Sequence, residues 1–237
     1  MTGVVLLLVA WQIAAATAFR LSMATPIAAV NNLITNWSEI WFNLDTTLHE
    51  ALLGWLVGNG TALVLMLLVA AVPVLERLVL RIAVVAYCLP VLAIGPILVV
   101  LLNPTDARVV IASLMVFFPT LVSALVGLRA AEPAAIDVVH AYGGSRLDEL
   151  SRVRLRAALP SVFAGLRIAA PVSILGAIVG EYLGGTQGIG IAMITAQGAL
   201  EVNLTWGLCL AAAFSAGAGY AITAWIGRAL TSWAQTS

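Results

Sequence analysis

The chain has 237 residues, 62% of them hydrophobic and 9% charged, and a formal net charge of zero; its mean hydropathy is +1.07. A soluble domain carries roughly 25% charged residues, so the polar surface is too small to coat a water-soluble globule, and lipid has to solvate much of the chain. Neutrality offers no argument for nucleic acid or an acidic partner. All 11 basic residues are Arg, so the lysine of a phosphate-binding P-loop is missing.

A hydrocarbon core about 30 Å thick takes about 20 apolar residues as helix. Six stretches qualify: 3–19, 48–72, 78–102, 107–128, 161–183 and 204–230. An all-α, polytopic membrane fold with about six transmembrane helices is therefore expected. The first stretch ends in an Ala-rich segment like a signal-peptide cleavage region. No Arg or Lys precedes it, so a retained first helix is expected. The following connection, residues 20–47, holds Pro26, Asn31, Asn32, Trp37 and Trp41, with Trp55 just beyond. These tryptophans read as interfacial anchors.

Gly54 and Gly58 give the second span a small-xxx-small spacing, as Gly180 and Gly184 do near the end of the fifth, and close helix packing explains both. Pro90 and Pro96 interrupt the third span, Pro119 the fourth and Pro171 the fifth; the broken third and fifth suit helices lining a passage. By position in these spans, Tyr87, Cys88, Pro90, Ser113, Ser123 and Ser173 are candidates for pathway lining. Serines in membrane helices also bond their own backbone or a neighbouring helix.

Residues 103–106 form a tight turn between the third and fourth spans. After the fifth span comes the glycine run 184–190, with no strand before it, so a phosphate loop is rejected. Irregular backbone at membrane depth needs protein or water around it, and a re-entrant or gate-forming loop is expected. Beside it stand Glu181 and Tyr182. Glu181 reads either as a carboxylate of the outer gate or as a boundary carboxylate already in water.

Arg77, Arg81, Arg129, Arg146, Arg152, Arg154, Arg156, Arg167 and Arg228 fall on one side of a six-span thread, and Arg20 and Arg108 on the other, a bias of nine to two. Positive charge marks the cytoplasmic side, so both termini are expected there. Cys88 and Cys209 sit in apolar runs as small hydrophobes. His49 and His140 belong to no metal-ligand spacing, and there is no GxSxG elbow. No catalytic residue and no metal site is predicted.

The connection between the fourth and fifth spans is the most informative segment. Pro133 suits the first turn of a helix, predicted over residues 134–142, and Gly143-Gly144 supplies a left-handed stop. Ser145-Arg146-Leu147-Asp148 has capping-box spacing and opens a second helix running to Leu159, with Pro160 at the transition into the fifth span. Asp148 and Arg152 form a favourable i,i+4 pair, whereas Arg152 and Arg156 repel. The Arg152, Arg154 and Arg156 cluster suits headgroup anchoring as well as protein contact. A compact protrusion held between two spans can transmit a push. The chain accordingly divides into a first helix with its outer connection (1–47), a core of five helices (48–230) carrying the loop 129–160, and a cytoplasmic tail (231–237).

The stretch Asp137-Val138-Val139-His140-Ala141-Tyr142-Gly143, with Val153 and Leu155 following, resembles the EAA loop of type I, binding-protein-dependent ABC importer permeases. Gly143, Val153 and Leu155 keep their offsets; Asp137 replaces Glu, Val138 and Val139 replace the two Ala, and Arg156 replaces Pro. Phe117-Phe118-Pro119, Gly127-Leu128-Arg129, Leu159-Pro160, Ala164-Gly165-Leu166-Arg167 and Glu181-Tyr182-Leu183-Gly184 with Gly188-Ile189-Gly190 are similar to the nitrate/sulfonate/taurine type, over about residues 49–230.

The resemblance implies a permease subunit forming half of a pathway for a small solute such as a sulfonate, taurine, nitrate, bicarbonate or a heteroaromatic precursor. It implies a second permease chain, identical or homologous, two ATPase subunits that bind ATP and Mg, and a periplasmic or lipid-anchored solute-binding protein, in a bacterial inner membrane. The chain itself would hold no cofactor and would not be an enzyme. Docking of the ATPase then falls to Ala134, Ala135, Asp137, Val138, His140, Ala141, Tyr142, Gly143, Gly144 and Arg146. The rival readings are an ATP-independent secondary carrier, against which no internal repeat is visible, and a non-transport scaffold.

Overall fold

The computed structural model describes residues 2–17, 22–88 and 90–235. In chain order the helices are α1 (Thr2–Thr17), α2 (Pro26–Thr35), α3 (Trp37–Ala71), α4 (Glu76–Cys88), α5 (Val91–Leu101), α6 (Pro104–Arg129), α7 (Pro133–Ala141), α8 (Arg146–Glu149), α9 (Leu155–Gly184), α10 (Ile189–Gly198) and α11 (Val202–Leu230). A π turn over Leu150–Arg154 joins α8 to α9 without a break. Among the described residues four stretches are long and apolar enough to cross a bilayer: Trp37–Ala71, Pro104–Arg129, Arg146–Gly184 and Val202–Leu230. The protein is all-α and multi-pass.

Small residues fix the central seam. A Cβ on Gly127 of α6 would meet Ala158 and Ser161 of α9, and one on Gly165 of α9 would meet Ser123. Farther along, a Cβ on Gly176 would lie 2.7 Å from Ala112 Cα, and one on Gly180 would lie 2.9 Å from Arg108 Cα. The pairing runs antiparallel along the length of α6 and α9. Gly54 and Gly58 of α3 abut Ala112, Ser113 and Val116 in the same way, so the small-residue spacing in α3 serves helix contact. There α3 runs parallel to α6.

Two parallel helices in succession require a crossing between them, and the α4–α5 pair supplies it. Glu76 at the start of α4 pairs with Arg129 at the end of α6. Gly95 and Val99 of α5 pack on Leu183 and Gly184, at the opposite end. α11 returns antiparallel to α9, with Gly227 against Phe163 and Tyr220 under Arg167. At the other end, Trp11 of α1 donates to Ala24 O (3.0 Å) and packs on Trp206, with ring centroids 5.1 Å apart. The last residues of the first predicted span, and Arg20, lie outside the described residues.

Several expectations change. The connection 20–47 is largely helical: α2 occupies part of it, and α3 begins at Trp37 rather than near residue 48. Only Pro90 breaks a span. Pro96, Pro119, Pro160 and Pro171 all lie inside continuing helices, so the fifth span is not interrupted and Pro160 marks no boundary. In a membrane bundle, neighbouring helices and local adjustment of helix geometry satisfy the backbone that proline frees. Trp37 and Trp41 are exposed, as interfacial anchors are, but Trp55 lies mid-helix and donates to Leu166 O (3.4 Å), bridging α3 to α9.

Candidate functional site

Two sites can be built from the residues upward, one at each end of the bundle. The first is the loop between α6 and α9. Pro133 opens α7, and the helix closes in a Schellman turn: Gly143 N donates to His140 O (2.9 Å) and Gly144 N to Val139 O (2.8 Å), with Gly143 at φ +75°. Space around the Gly143 Cβ position is open, so its conformation is what calls for glycine. At Gly144 the reason is contact, because a Cβ there would stand 2.5 Å from Val139 Cγ1 and 2.8 Å from Val139 O.

The predicted capping box is present. Asp148 N donates to Ser145 Oγ (3.3 Å) and Ser145 N to Asp148 Oδ2 (3.0 Å). The Ser145 hydroxyl also lies 2.7 Å from Asp148 Oδ2, and this hydrogen bonding holds the Asp148 carboxyl below its usual range, with Arg152 at 3.2 Å adding to the effect.

Glu149 is the residue that sequence reasoning misses here. One carboxylate oxygen accepts from Arg154, and the other pairs with His140 Nε2 at 3.1 Å, which clamps α7 to the base of α9. Of the predicted docking residues, Tyr142 is 91% exposed, and Val138 is exposed with it, as is the neighbouring Leu147. The loop therefore presents Val138 and Tyr142, one turn apart, on a tightly hydrogen-bonded frame, while Leu147 borders Ala70, Ala71 and Pro73 at the end of α3.

The second site is at the opposite end. Glu181 is fully buried, which rules out the reading of a boundary carboxylate in water. Thr47 Oγ1 donates to its Oε1 (2.6 Å) and Gly190 N to its Oε2. The same threonine oxygen accepts from Ile189 N (2.9 Å), and Asn43 Oδ1 accepts from Gly188 N (3.2 Å). Gly188 stands at φ +120°, with the Glu181 carboxylate where a Cβ would be. The glycine run thus wraps the carboxylate and leads into the short helix α10.

Beside this cluster, Arg108 pairs with Glu50 at 3.0 Å, both buried, and reaches Gln187 O (3.4 Å) and Thr105 Oγ1 (3.2 Å). The sequence counts Arg108, at the start of the fourth predicted span, among the charges of the side away from the arginine-rich loops; the structure makes it a neutralised interior charge. Glu50 and Arg108 stand in different spans, and no local signal joins them. α3, α6, α9 and the loop before α10 are tied together by these side chains.

The predicted pathway residues do not converge. Tyr87 is exposed and stacks on Phe118 (4.3 Å), and Cys88 and Pro90 are exposed at the break between α4 and α5. Ser113 and Ser173 are buried and donate to Val109 O (2.7 Å) and Ala170 O (2.8 Å) of their own helices. Ser123 packs toward Gly165, and the Tyr182 hydroxyl contacts Met193 Sδ at 3.5 Å. Among the described residues no group of His, Cys, Asp and Glu side chains could hold a metal ion.

Long apolar helices with a capped, folded loop between two of them define a multi-pass helical membrane protein. The chain belongs to the family of binding-protein-dependent transport system inner membrane components, whose pattern matches residues 52–235. It is 34% identical over 207 residues to a probable ABC transporter permease protein of Haemophilus influenzae, covering 86% of this chain and 84% of that one. A formylaminopyrimidine transport permease protein of Halalkalibacterium halodurans is 29% identical over 188 residues (78% and 75% of the two chains). A putative aliphatic sulfonates transport permease protein of Bacillus subtilis is 24% identical over 185 residues (76% and 67%).

Proposed function

We propose that the chain is one half of the translocation unit of an ATP-driven importer and that the loop 129–160 is its docking element for a separate ATPase. The carrying observation is the pair of exposed apolar side chains Val138 and Tyr142, one turn apart at the end of α7, on a frame locked by the Schellman turn, the capping box and Glu149. A rigid knob continuous with α9 moves that helix when its tip is gripped. Ala134, Ala135, Asp137, Val138, His140, Ala141, Tyr142, Gly143, Gly144 and Arg146 make the contact. ATP and Mg bind to two partner ATPase subunits, and a second permease chain completes the pathway.

The arginine-rich end of the bundle faces the cytoplasm, and both termini lie there. A solute-binding protein delivers substrate at the Glu181 end, where the loop wrapped on Glu181 acts as the outer gate. The substrate is a small anion or a heteroaromatic precursor, the classes carried by the sulfonate and formylaminopyrimidine relatives.

Co-purification with the ATPase and ATP hydrolysis in liposomes test it. Gly143→Asp strains the left-handed position, and Gly144→Val drives a side chain into Val139. Both are expected to lose the ATPase while the helical content of the chain is retained. Retention of the ATPase and of hydrolysis in both variants would refute the docking role.

A further inference from the structure

Two cavities meet at Thr223, between α9 and α11. The larger, about 470 Å³, is walled by apolar side chains of α3, α9 and α11, among them Leu52, Trp55, Ile174 and Ile222. The smaller, about 200 Å³, lies toward the loop end of the bundle, where Pro160, Phe163 and Thr231 border it, and it carries Arg167 and Arg228. A basic chamber therefore lies next to an apolar cavity, the two sharing Thr223 in their walls.

Neither arginine is ion-paired with an acidic side chain among the described residues. Arg167 lies over the Tyr220 ring, 5.5 Å from its centroid, and its Nε is buried without a hydrogen-bond partner. Arg228 is exposed and spends one donor on Ala224 O (3.3 Å). Two cations on the flank of a membrane bundle, one of them half-buried, are costly unless an anion neutralises them. A free inorganic anion would meet the charge and leave the apolar groove unfilled. A phosphodiester with an acyl chain satisfies both ends of the site.

We propose that this groove binds one anionic phospholipid, its phosphate held between Arg167 and Arg228 and one acyl chain lying along α3, α9 and α11. The lipid belongs to the leaflet on the side of the loop between α6 and α9. It would brace α9 against α11, and α9 is the helix that continues directly from that loop.

Native mass spectrometry of the full chain in mild detergent tests this, with dioleoyl phosphatidylglycerol and dioleoyl phosphatidylcholine as probes. Each arginine near a headgroup contributes about five-fold in affinity. The wild type should retain phosphatidylglycerol preferentially, and Arg167→Gln/Arg228→Gln should lose that preference. Arg77→Gln/Arg81→Gln, two arginines without ion pairs among the described residues, should keep it. Arg228→Gln alone changes an exposed side chain, so it reads the effect at about five-fold without risk to folding. Gly219→Leu, at a position in the groove wall whose Cβ would sit 3.6 Å from Ala170 Cβ, should weaken retention of the diacyl lipid. Equal retention of the two lipids by the wild type overturns the proposal, as does an equal loss in the Arg77/Arg81 control. Displacement by excess inorganic phosphate would mean a plain anion site, and cross-linking of a second copy through Ser215→Cys would mean a protein occupant; either outcome overturns it as well.

Discussion

Glu181 shows how much a single buried carboxylate organises. It accepts from a side chain of α3 and from a backbone amide at the start of α10, and Gly188 leaves room for it. Glu181→Ala leaves Gly190 N without its acceptor in a buried place, which costs about 1–3 kcal/mol, while the Thr47 hydroxyl keeps Asn43 O (3.2 Å) as an alternative acceptor. Thermal unfolding in detergent should record a clear loss of stability, with Glu181→Gln milder because an amide oxygen still accepts one bond. An unchanged melting temperature for Glu181→Ala would refute the structural role of this cluster. Glu50 and Arg108 carry a related risk, since removing one member of a buried pair strands the other charge. Sequence position singles out Glu181 near a span end but leaves its burial open, because exposure depends on the fold of the glycine run around it.

At the scale of elements, the loop between α6 and α9 is the most legible part of the chain. Pro133, Gly143-Gly144 and the Ser145–Asp148 spacing are local signals, and the structure has the helix start, the Schellman turn and the capping box they specify. The clamp made by Glu149 is not legible, because its contact with His140 depends on α7 folding back over α8. Glu149→Ala should free His140 and Arg154 together. Hydrogen exchange across residues 133–141 is then expected to quicken while the core of α9 keeps its protection. Equal protection of α7 in the variant would show that the Schellman turn alone holds it. The proline positions are a poorer guide to span breaks, since only Pro90 ends a helix and the other interior prolines sit in bundles that absorb them.

Across the whole molecule, the direction of each helix follows from which ends meet. Arg77, Arg129, Arg146 and Arg228 gather at one end of the bundle, and Glu181 and Arg108 lie at the other. The compartments assigned above predict a labelling pattern. In a Cys88→Ser/Cys209→Ala background, cysteines placed at Ala135 and at Arg228 should react only from the cytoplasmic side, and one placed at Asp106 only from the opposite side. Labelling of the Ala135 position from outside would invert the reading and detach the loop from any cytoplasmic ATPase.

Composition by itself determined that this is a helical membrane protein, because so few charges cannot clothe a soluble surface, and local capping chemistry determined the form of its loop. Those signals act within a turn or two of chain, where backbone hydrogen bonding and hydropathy decide the outcome. Tertiary structure alone decided that Arg108 is an interior ion-pair partner of Glu50, that Trp55 bridges two helices, and that Arg167 and Arg228 share one cavity. Each of those depends on residues far apart in sequence meeting across a helix seam, and no periodicity along one segment encodes who stands on the other side.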